Sequence, residues 1–331
     1  MMAYLKDHQF LSAFLFVLGS LTFAKFAVKT LAVLAQTFLL NGTSLKQFGA
    51  KKGSWAVITG ASGGIGREFA IQLAKAGFNV LVASRSHHQL TETVAQIEAK
   101  CGSDVQTKIV TIDLANAHDD GFTRLAEACQ GLDVGVLVNN AGKSHEMPTD
   151  FVDTPKHEMD DIVAINVSAV LRVTSIILPG MVQRKRGLVL NVGSFAGSIP
   201  SPMLATYSGS KAFLSTWSAA LGEEVKSHGI TVQHFNTYFV VSNMSKIRRS
   251  SALVPTPASY VRSCLSKIGL ACGAAYTARP HTSTPFWSHA LIDWAMGVVG
   301  WKSAFVGYTH GLHKSIRKRA LKKKERDAKS Q

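Results

Sequence analysis

The sequence predicts a doubly wound α/β fold with a parallel β-sheet. From Trp55 onward, short runs rich in Val and Ile alternate with stretches of helix length. These runs barely alternate between apolar and polar residues, which is typical of strands buried on both faces of a parallel sheet. A glycine-rich turn joins the first run to the first helical stretch, as in a βα unit. Ligands of such folds bind beyond the carboxyl ends of the strands.

Six strands and five helices follow from this alternation. The strands are predicted at 55–59, 79–83, 107–112, 135–139, 188–192 and 231–235, and the helices near 64–77, 87–100, 118–130, 155–178 and 204–227.

An apolar segment precedes the α/β region. Phe10 to Ala24 contains no charge and, as a helix, is about 22 Å long, whereas the hydrocarbon core is about 30 Å thick. A span from Gln9 to Lys29 is long enough and leaves Lys25 and Lys29 near one end, where they can reach the headgroups. We expect residues 30–40 to continue along the interface or to return as a half-hairpin.

The lysines after this segment predict its orientation. Lys46, Lys51 and Lys52 follow it, so the positive-inside rule places the large domain in the cytosol. A cleaved signal peptide, with Lys6 before its apolar region, is the alternative. The apolar character persists to Leu40, which favours an anchor.

The positive charge is concentrated at the two ends of the chain. The net charge is +15, yet residues 1–53 hold six lysines and one acid, and residues 314–331 hold nine basic and two acidic residues. The 260 residues between them carry only +3. This distribution argues against a nucleic-acid groove in the folded domain. It suits flanks that lie beside an anionic membrane surface. For the last residues, a solvated tail is the alternative.

The cysteines predict a reducing environment. Cys101, Cys129, Cys264 and Cys272 form no CxxC pair, and none lies at metal-ligand spacing from a histidine. We therefore expect free thiols and no metal site.

The glycine-rich turn "TGASGGIGRE" predicts a phosphate site. Gly60, Gly64 and Gly66 permit a tight turn and close backbone approach, and the helix beginning near Gly64 directs its free N–H groups and positive dipole end at an anion. Ser62 and Ile65 belong to the same turn. The context, after a strand and before a helix, is the one that a dinucleotide site requires.

The end of the second strand predicts the type of dinucleotide. An NAD site usually has an acidic residue here, for the ribose hydroxyls. This chain has Ser84 and Arg85, and a guanidinium can pair with a 2′-phosphate. We expect NADPH/NADP+; the alternative is that Arg85 only faces solvent.

Tyr207 and Lys211 lie four residues apart and so share one face of a predicted helix. A phenol with a pKa of about 10 is a poor acid at neutral pH. A cation about 4 Å away supplies on the order of 4 kcal/mol at an effective dielectric constant near 20. We expect Lys211 to lower the pKa of Tyr207 towards 7.

These motifs occur in an order that resembles the short-chain dehydrogenase/reductase family, over about residues 54–250. "TGASGGIG" resembles the cofactor loop, Asp113 in "TIDLA" the adenine contact, and "NNAG" at 139–142, with Asn140, the segment after strand four. Asn166, Ser194, Tyr207 and Lys211 match the catalytic tetrad of the family, because Ser194 is 28 positions after Asn166 and Tyr207 is 13 positions after Ser194, as in the family.

The resemblance implies a role for each of these residues. Tyr207 donates the proton, Ser194 binds the carbonyl oxygen, and Lys211 also binds the nicotinamide ribose. Asn166 kinks its helix and holds a water that connects Lys211 to solvent. Val240 and Ser242 contact the nicotinamide carboxamide, although Thr237 and Tyr238 stand where many members have Pro-Gly.

The membrane segment, "SWAVITGASGGIGRE" and "VVSNMSKIRRSS" together resemble the fungal very-long-chain 3-oxoacyl-CoA reductases, relatives of the type 12 and type 3 17β-hydroxysteroid dehydrogenases. This implies NADPH-dependent reduction of long-chain 3-oxoacyl-CoA in fatty-acid elongation at the endoplasmic reticulum, beside other elongation enzymes and as a possible homo-oligomer. The alternatives are a hydroxysteroid or 3-ketosphinganine reductase and a non-catalytic NADPH-binding scaffold.

Two stretches near the C-terminus have more than one interpretation. Lys246, Arg248 and Arg249 either meet the phosphates of CoA or form a solvated helix face. Trp287, Trp294 and Trp301, seven residues apart, form one stripe on a helix, which docks on the bilayer, lines an acyl channel or packs on the core.

We therefore divide the chain into four parts. They are a membrane anchor with a basic flank at 1–50, an NADP-binding catalytic domain at 51–270, an apolar extension for substrate or membrane at 271–313, and a basic tail at 314–331.

Overall fold

A single seven-stranded sheet forms the centre of the computed structural model, which describes residues 9–116 and 119–329. Every strand pair is parallel, in the order β3-β2-β1-β4-β5-β6-β7. The order reverses between β1 and β4, and the carboxyl ends there form the crevice in which such folds bind ligands. The strands are β1 Trp55–Thr59, β2 Asn79–Ser84, β3 Thr107–Thr111, β4 Val134–Asn139, β5 Gly187–Val192, β6 Ile230–Phe235 and β7 Thr282–Ser283.

Helices cover both faces of the sheet and extend beyond it at each end of the chain. The α-helices are α1 Gln9–Leu34, α2 Gly64–Lys75, α3 His87–Cys101, α4 Asp119–Cys129, α5 Lys156–Val163, α6 Ala169–Arg184, α7 Phe195–Ser198, α8 Ala205–Lys226, α9 Pro257–Ser266, α10 Trp287–Val299 and α11 Lys302–Lys329. Short 3₁₀ turns lie at Leu45–Phe48, Gly102–Asp104, Phe151–Asp153 and Gly273–Ala275, and π-helical turns at Ala35–Leu39 and Ala164–Ser168.

Two hydrophobic cores hold this arrangement together, one on each face of the sheet. Helices α2, α3 and α9 pack on one face, and α4, α6 and α8 on the other. Within β1, Ile58 points into the first core and Val57 into the second, and both are fully buried. Burying such a side chain contributes roughly 1.5–3 kcal/mol. The near-continuous apolar strands are therefore explained by burial on both faces.

The predicted doubly wound parallel sheet is confirmed. All six predicted strands occur, each within one residue of its predicted ends. The two-residue strand β7 was not predicted, because two residues carry no periodic signal. The helix predicted at 155–178 runs on to Arg184 through a π-helical turn, and residue 118, the predicted start of another helix, lies outside the described residues.

The N-terminal helix is continuous through residue 34 and docks on the domain with its C-terminal half. Trp294 donates a hydrogen bond to Thr30 (3.0 Å), and Gln36 accepts from the backbone N–H groups of Ala271 and Cys272 at 2.8 and 3.0 Å. The predicted half-hairpin is therefore wrong, because residues 30–39 continue the helical stretch that begins at Gln9. Their polar groups are engaged by the segment around residue 271.

Two helical stretches within 9–116 and 119–329 are long and apolar enough to cross a membrane. They are Gln9–Leu39 and Lys156–Arg184. The second is partly buried, since α6 belongs to the core of the sheet. The most apolar part of the first has no buried residues, as expected of an anchor.

The C-terminal region differs from its prediction in two ways. Helix α10 ends at Val299, because Gly300 adopts a left-handed conformation (φ 67°), so Trp301 does not continue the stripe of Trp287 and Trp294. Residues from Lys302 to Lys329, which include most of the predicted basic tail, form a second helix that was not predicted. Residues 330–331, like residues 1–8, lie outside the described part.

Candidate active site

The glycine-rich loop packs against the end of β4. A Cβ atom on Gly60 would lie 2.9 Å from Ala141 Cα, and one on Gly66 would lie less than 3 Å from both the Gly60 carbonyl oxygen and Asn140. Asn140 donates to the carbonyl oxygens of Thr59 and Gly60 at 3.0 and 3.1 Å. Only glycine fits at 60 and 66, since any side chain would push the two loops apart.

The front of the same loop is open and suits a phosphate. Gly64 has φ 54°, a left-handed conformation, and the nearest atom to a Cβ there would be Ser242 Cβ at 3.8 Å. Helix α2 begins at this glycine, and no side chain caps its first turn. Its free N–H groups can therefore receive an anion, and the residues present fit a dinucleotide pyrophosphate.

Substituting Gly66 by Ala should destabilise the protein, whereas Gly63→Ala should not. We expect the first change to cost about 1–3 kcal/mol, the usual cost of overpacking. Gly63 has extended backbone with nothing within 4 Å of a Cβ, which makes it a matched control. Thermal unfolding without added nucleotide measures both. Equal melting temperatures would contradict the packing argument.

Arg67 supports the loop from behind. It donates to the Ser62 carbonyl oxygen at 2.6 Å and to Thr93 at 3.1 Å, and it pairs with Glu92 at 3.3 Å. The Ser62 hydroxyl accepts from Ser84 at 3.0 Å. Sequence reasoning missed Arg67, although it lies within the quoted motif, because its partners lie on α3.

The residues predicted to contact the adenosine end lie at the carboxyl ends of β2 and β3. Arg85 directly follows β2 and is exposed, with no ion pair or hydrogen bond to another described residue. Asp113 follows β3 and accepts a hydrogen bond from the N–H of Ala115 at 3.0 Å. The side chain of Ile65, in the glycine-rich loop, packs on the hydrophobic core. This leaves its backbone as the part that can face a ligand.

Ser194 lies just beyond β5 as the N-cap of α7. Its hydroxyl accepts from the N–H of Ala196 at 3.2 Å. Hydrogen bonds from Gly193 to Phe235 and from Phe195 to Thr237, both 2.9 Å, fasten this turn to the end of β6. The cap and these two bonds fix the position of the hydroxyl.

Tyr207 and Lys211 project from the first two turns of α8 towards Ser194. The hydroxyls of Tyr207 and Ser194 are hydrogen-bonded, and Lys211 Nζ lies 5.9 Å from the centre of the Tyr207 ring. Lys211 is 5% exposed and donates to the Val192 carbonyl oxygen at 2.9 Å. The ammonium is therefore desolvated and held at the end of β5.

Burial shifts both pKa values against the charged forms. It raises the pKa of Tyr207, an effect that the hydrogen bond with Ser194 partly offsets. It lowers the pKa of Lys211 to about 8. The predicted lowering of the Tyr207 pKa is thus wrong for this arrangement, because burial raises that pKa and only the hydrogen bond with Ser194 opposes the rise. A phenol kept protonated is the form that donates a proton.

Asn166 completes the group from the neighbouring helix. It lies in the π-helical turn between α5 and α6, and its side chain bonds both backbone groups of Lys143 (2.8 and 2.9 Å) and the hydroxyl of Ser210 at 2.9 Å. A Cβ on Gly142 would lie 3.4 Å from Asn166 Oδ1 and 3.5 Å from Lys211 Nζ. Asn166 and Lys211 therefore flank the same point.

The segment after β6 closes the other side of the crevice. Val240 is buried, and Ser242 is half-buried and approaches Gly64. Thr237, in place of the common proline, bonds the hydroxyl of the buried Tyr260 at 2.6 Å. Tyr238 packs on Phe195 with ring centres 5.4 Å apart. At the positions where many family members have Pro-Gly, Thr237 and Tyr238 thus contact neighbouring side chains.

Helix α11 lies across two loops at the mouth of this crevice. His313 bonds the Pro202 carbonyl oxygen at 2.7 Å, and Arg317 donates to Pro148 and Thr149 at 3.0 and 2.7 Å. His313 and Arg317 are four residues apart and share one helix face. Sequence reasoning assigned them to the extension and the basic tail and missed this contact. Their spacing was the available signal.

A buried polar cluster connects the substrate side to α10. Asp293 accepts from Arg279, from Thr284 and, at 3.3 Å, from Asn236. Arg279 also donates to Ser198, at the end of α7, at 2.7 Å. The cluster ties the short helix that Ser194 caps to α10.

Two fungal proteins resemble this chain over almost its whole length. The very-long-chain 3-oxoacyl-CoA reductase of Laccaria bicolor is 62% identical over 326 residues, which is 98% of this chain and 96% of that protein. The protein with the same name from Coprinopsis cinerea is 62% identical over 328 residues, 99% and 96% of the two chains.

Solved structures share the fold and the cofactor class. A 7β-hydroxysteroid dehydrogenase superposes with a TM-score of 0.68 at 22% identity, over 79% of this chain and 98% of that one. A metagenomic short-chain oxidoreductase in complex with NADP has a TM-score of 0.53 at 27% identity, over 64% and 90%. The family fold and the NADP complex support binding of a nicotinamide cofactor by this chain. Because the short chain dehydrogenase family matches residues 54–252, this chain belongs to that family.

Proposed function

We propose that this protein reduces long-chain 3-oxoacyl-CoA to 3-hydroxyacyl-CoA in very-long-chain fatty-acid elongation. The observation that carries the proposal is the 62% identity, over nearly the whole chain, to two proteins with that name. The likeness extends through the N-terminal helix and α11, outside the matched family domain, where substrate preference is expected to be determined.

The four clustered side chains suit the reduction of a ketone. When bound, the reduced nicotinamide supplies a hydride to the keto carbon. The Tyr207 hydroxyl donates its proton to the keto oxygen, and the Ser194 hydroxyl hydrogen-bonds the same oxygen as negative charge develops. Together these two groups fix the carbonyl against β5. We assign Tyr207 as the proton donor and Ser194 as the oxyanion donor.

Lys211 and Asn166 support the proton donor. The Lys211 ammonium stabilises the tyrosinate that forms when the proton leaves, and it can bind the nicotinamide ribose. Asn166 holds the backbone of Lys143 beside Lys211, at the start of a route by which water can reprotonate the pair. The contacts of Asn166 with Lys143 and Ser210 support this assignment.

Arg85 favours NADPH. Its exposed guanidinium is unpaired among the described residues and lies at the carboxyl end of β2. Other parts of the cofactor are proposed to contact residues that follow other strands, namely Asp113, Asn140, Val240 and Ser242. A charge-assisted hydrogen bond contributes about 1.5–3 kcal/mol. Gly60, Ser62, Gly64, Ile65 and Gly66 would hold the pyrophosphate through the backbone.

Substituting Arg85 by Asp should reduce the preference for NADPH over NADH by about 10- to 100-fold. The ratio of kcat/KM for the two nucleotides measures it. Arg124→Asp, an equal charge change at another exposed arginine on α4, is the control and should leave the ratio unchanged. An unaltered ratio in Arg85→Asp would contradict the assignment.

We also propose that the protein resides in the endoplasmic reticulum membrane with its catalytic domain in the cytosol. Helix α1 is the anchor of residues 1–50, and the lysines that follow it support the orientation. Residues 51–270 form the catalytic domain, 271–313 the apolar extension and 314–331 the basic end. Other elongation enzymes and a second copy of the chain are the candidate protein partners.

The CoA phosphates have candidate partners near the mouth. Lys246 donates to the Glu146 carbonyl oxygen at 2.7 Å, so part of its charge faces the loop after β4. Arg248 and Arg249 are exposed and lie in a segment of turns, not on the helix face that one interpretation required. We assign these two arginines to the nucleotide end of the substrate.

One assay tests the proposed function. Purified full-length protein in membranes should oxidise NADPH with a long-chain 3-oxoacyl-CoA at least tenfold faster, in kcat/KM, than with a steroid ketone or 3-ketosphinganine. A preference for either of those ketones would contradict the proposed substrate, but it would leave the proposed ketone reduction in place. No oxidation with any ketone, despite nucleotide binding, would favour a scaffold.

A further inference from the structure

Helices α10 and α11 form a hairpin whose tip is apolar and exposed. The tip consists of Val298, Val299, Gly300 and Trp301. Val298, Val299 and Trp301 are 40%, 59% and 67% exposed. The left-handed Gly300 ends α10, and α11 begins at Lys302. Three large apolar side chains at one protruding turn are costly in water and indicate a surface that is covered.

Helix α10 runs antiparallel to α1, so the contacts between the two helices indicate which residues of α1 lie beside the tip. Trp294 bonds Thr30, and three residues later Gly297 packs on the ring of Tyr276, which contacts Phe26 with ring centres 6.3 Å apart. Moving from 294 to 297 on α10 thus corresponds to moving from 30 to 26 on α1. Both helices rise about 1.5 Å per residue, so the two axes remain in step.

The tip therefore lies beside the charge-free part of α1. The turn at 299–301 directly follows Val298, which lies one helical turn, about 6 Å, beyond Trp294 on α10 and therefore beside the part of α1 that precedes Phe26. An apolar groove of about 730 Å³ between the helices confirms this proximity, because Val298 lines it together with Leu18, Thr22 and Phe23.

We propose that the α10–α11 tip inserts into the same bilayer as α1 and forms a second, monotopic membrane contact. This inference rests on the proposed anchoring role of α1. The occupant of the surface is lipid, because residues level with the tip on α1 are themselves exposed and apolar: Phe23 is 70% exposed and Leu21 65%. If α1 lies in the hydrocarbon of the bilayer at Phe23, the α10–α11 tip beside it lies in the hydrocarbon too.

The charges near the tip fit a shallow position. Lys302 follows Trp301, and Lys25 and Lys29 line the groove. Such side chains can extend to the headgroups from just inside the hydrocarbon, but not from the bilayer centre. Tyr308 is 71% exposed and about 10 Å farther along α11, at the headgroup level where tyrosine is favoured. The tip thus enters one leaflet only.

Helix α11 then returns from the membrane to the mouth of the active site. Tyr308 lies close enough to Tyr238 to influence its pKa, and His313 and Arg317 bond the loops at 202 and 149. The hairpin therefore connects the bilayer directly to the rim of the crevice. A substrate with a long acyl chain would meet this rim while its chain is still in lipid.

Site-specific labelling of the full-length protein in liposomes tests the inserted tip. Cys101 and Cys129 are replaced by Ser, whereas the buried Cys264 and Cys272 remain. Single cysteines are then placed at Trp301 or Val299 (tip), at Leu18 (anchor) and at the exposed Ser315 (control). A membrane-impermeant maleimide should label both tip positions at least tenfold more slowly than position 315.

The pattern separates failure of the tip from failure of the anchor. Rapid labelling at 299 and 301, with 18 shielded, would overturn the inserted tip and leave α1 in place. Rapid labelling at all three would overturn the anchor as well. Nitroxide-labelled lipids should quench a fluorophore at 301 more strongly than one at 315. A tip that is shielded but not quenched is covered by protein, which would also overturn the proposal.

Discussion

Replacing Tyr207 by Phe should reduce ketone reduction by about 1,000-fold while nucleotide binding persists. The phenol hydroxyl is the group placed to donate a proton to the keto oxygen, and general acid catalysis contributes typically 10²- to 10⁴-fold. The hydroxyl of Tyr207 bonds Ser194, so its loss removes the acid without emptying the pocket. Steady-state rates with 3-oxoacyl-CoA, beside nucleotide titration by fluorescence, measure both effects.

Tyr238→Phe is the matched control. Its ring packs on Phe195 and Phe239, and no hydrogen bond of its hydroxyl to another described residue occurs. We expect its kcat to stay within about threefold of the wild type. Full activity in Tyr207→Phe, or an equal loss in both variants, would remove Tyr207 from its assigned role.

Lys211→Met should be at least 100-fold less active, yet no less stable at pH 7. The Lys211 ammonium lies 5.9 Å from the centre of the Tyr207 ring. A unit charge at about 6 Å and an effective dielectric constant near 20 contributes roughly 3 kcal/mol, which is about two orders of magnitude in rate. The kcat of the variant with saturating substrates measures the loss. A kcat near the wild-type value would contradict the electrostatic role.

The stability of Lys211→Met follows from the depressed pKa of the lysine. Burial lowers that pKa from 10.5 to about 8, so the folded protein binds fewer protons than the unfolded chain between these values. Keeping the ammonium charged below pH 8 costs on the order of 3 kcal/mol, and the cost disappears as pH rises towards 10.5. The hydrogen bond to Val192 returns about 1 kcal/mol.

The free energy of unfolding, measured at pH 7 and at pH 9.5, tests the direction of this effect on stability. The free energy of unfolding of Lys211→Met should exceed that of the wild type at pH 7, and the difference should shrink at pH 9.5. A variant that is less stable at pH 7 would show that Lys211 holds the fold together. The loss of activity would then have a structural cause.

The sheet and the glycine loop were predictable because their signals are local. Each strand is a short apolar run. Gly60 and Gly66 are needed where the loop after β1 touches the loop after β4, its neighbour in the sheet. The docking of α1 and α11 was not predictable, since it depends on partners far away in sequence. Gln36 meets residue 271, and Arg317 meets residue 149. The sequence shows that His313 and Arg317 share a helix face, but it carries no signal for the partners of that face.

Of the candidate site, the grouping of side chains was predictable and the electrostatics were not. Spacing along a helix places Tyr207 and Lys211 on one face, and the end of β5 brings Ser194 near them. The family resemblance added Asn166, which lies in the turn between α5 and α6. The pKa of Tyr207 depends on the depth of burial and on where the ammonium points. Lys211 bonds a carbonyl oxygen of β5, a partner that its position in the sequence does not indicate.

The docking of α1 on the far end of the chain has a consequence for folding. The bonds from Thr30 to Trp294 and from Gln36 to Ala271 join residues 264 and 235 positions apart. An anchor made first must wait until nearly all of the chain is synthesised before its docking partners exist. The free-energy cost of closing a loop grows only slowly with its length. Docking of the anchor therefore cannot precede synthesis of the chain through Trp294 and formation of the segment around Ala271.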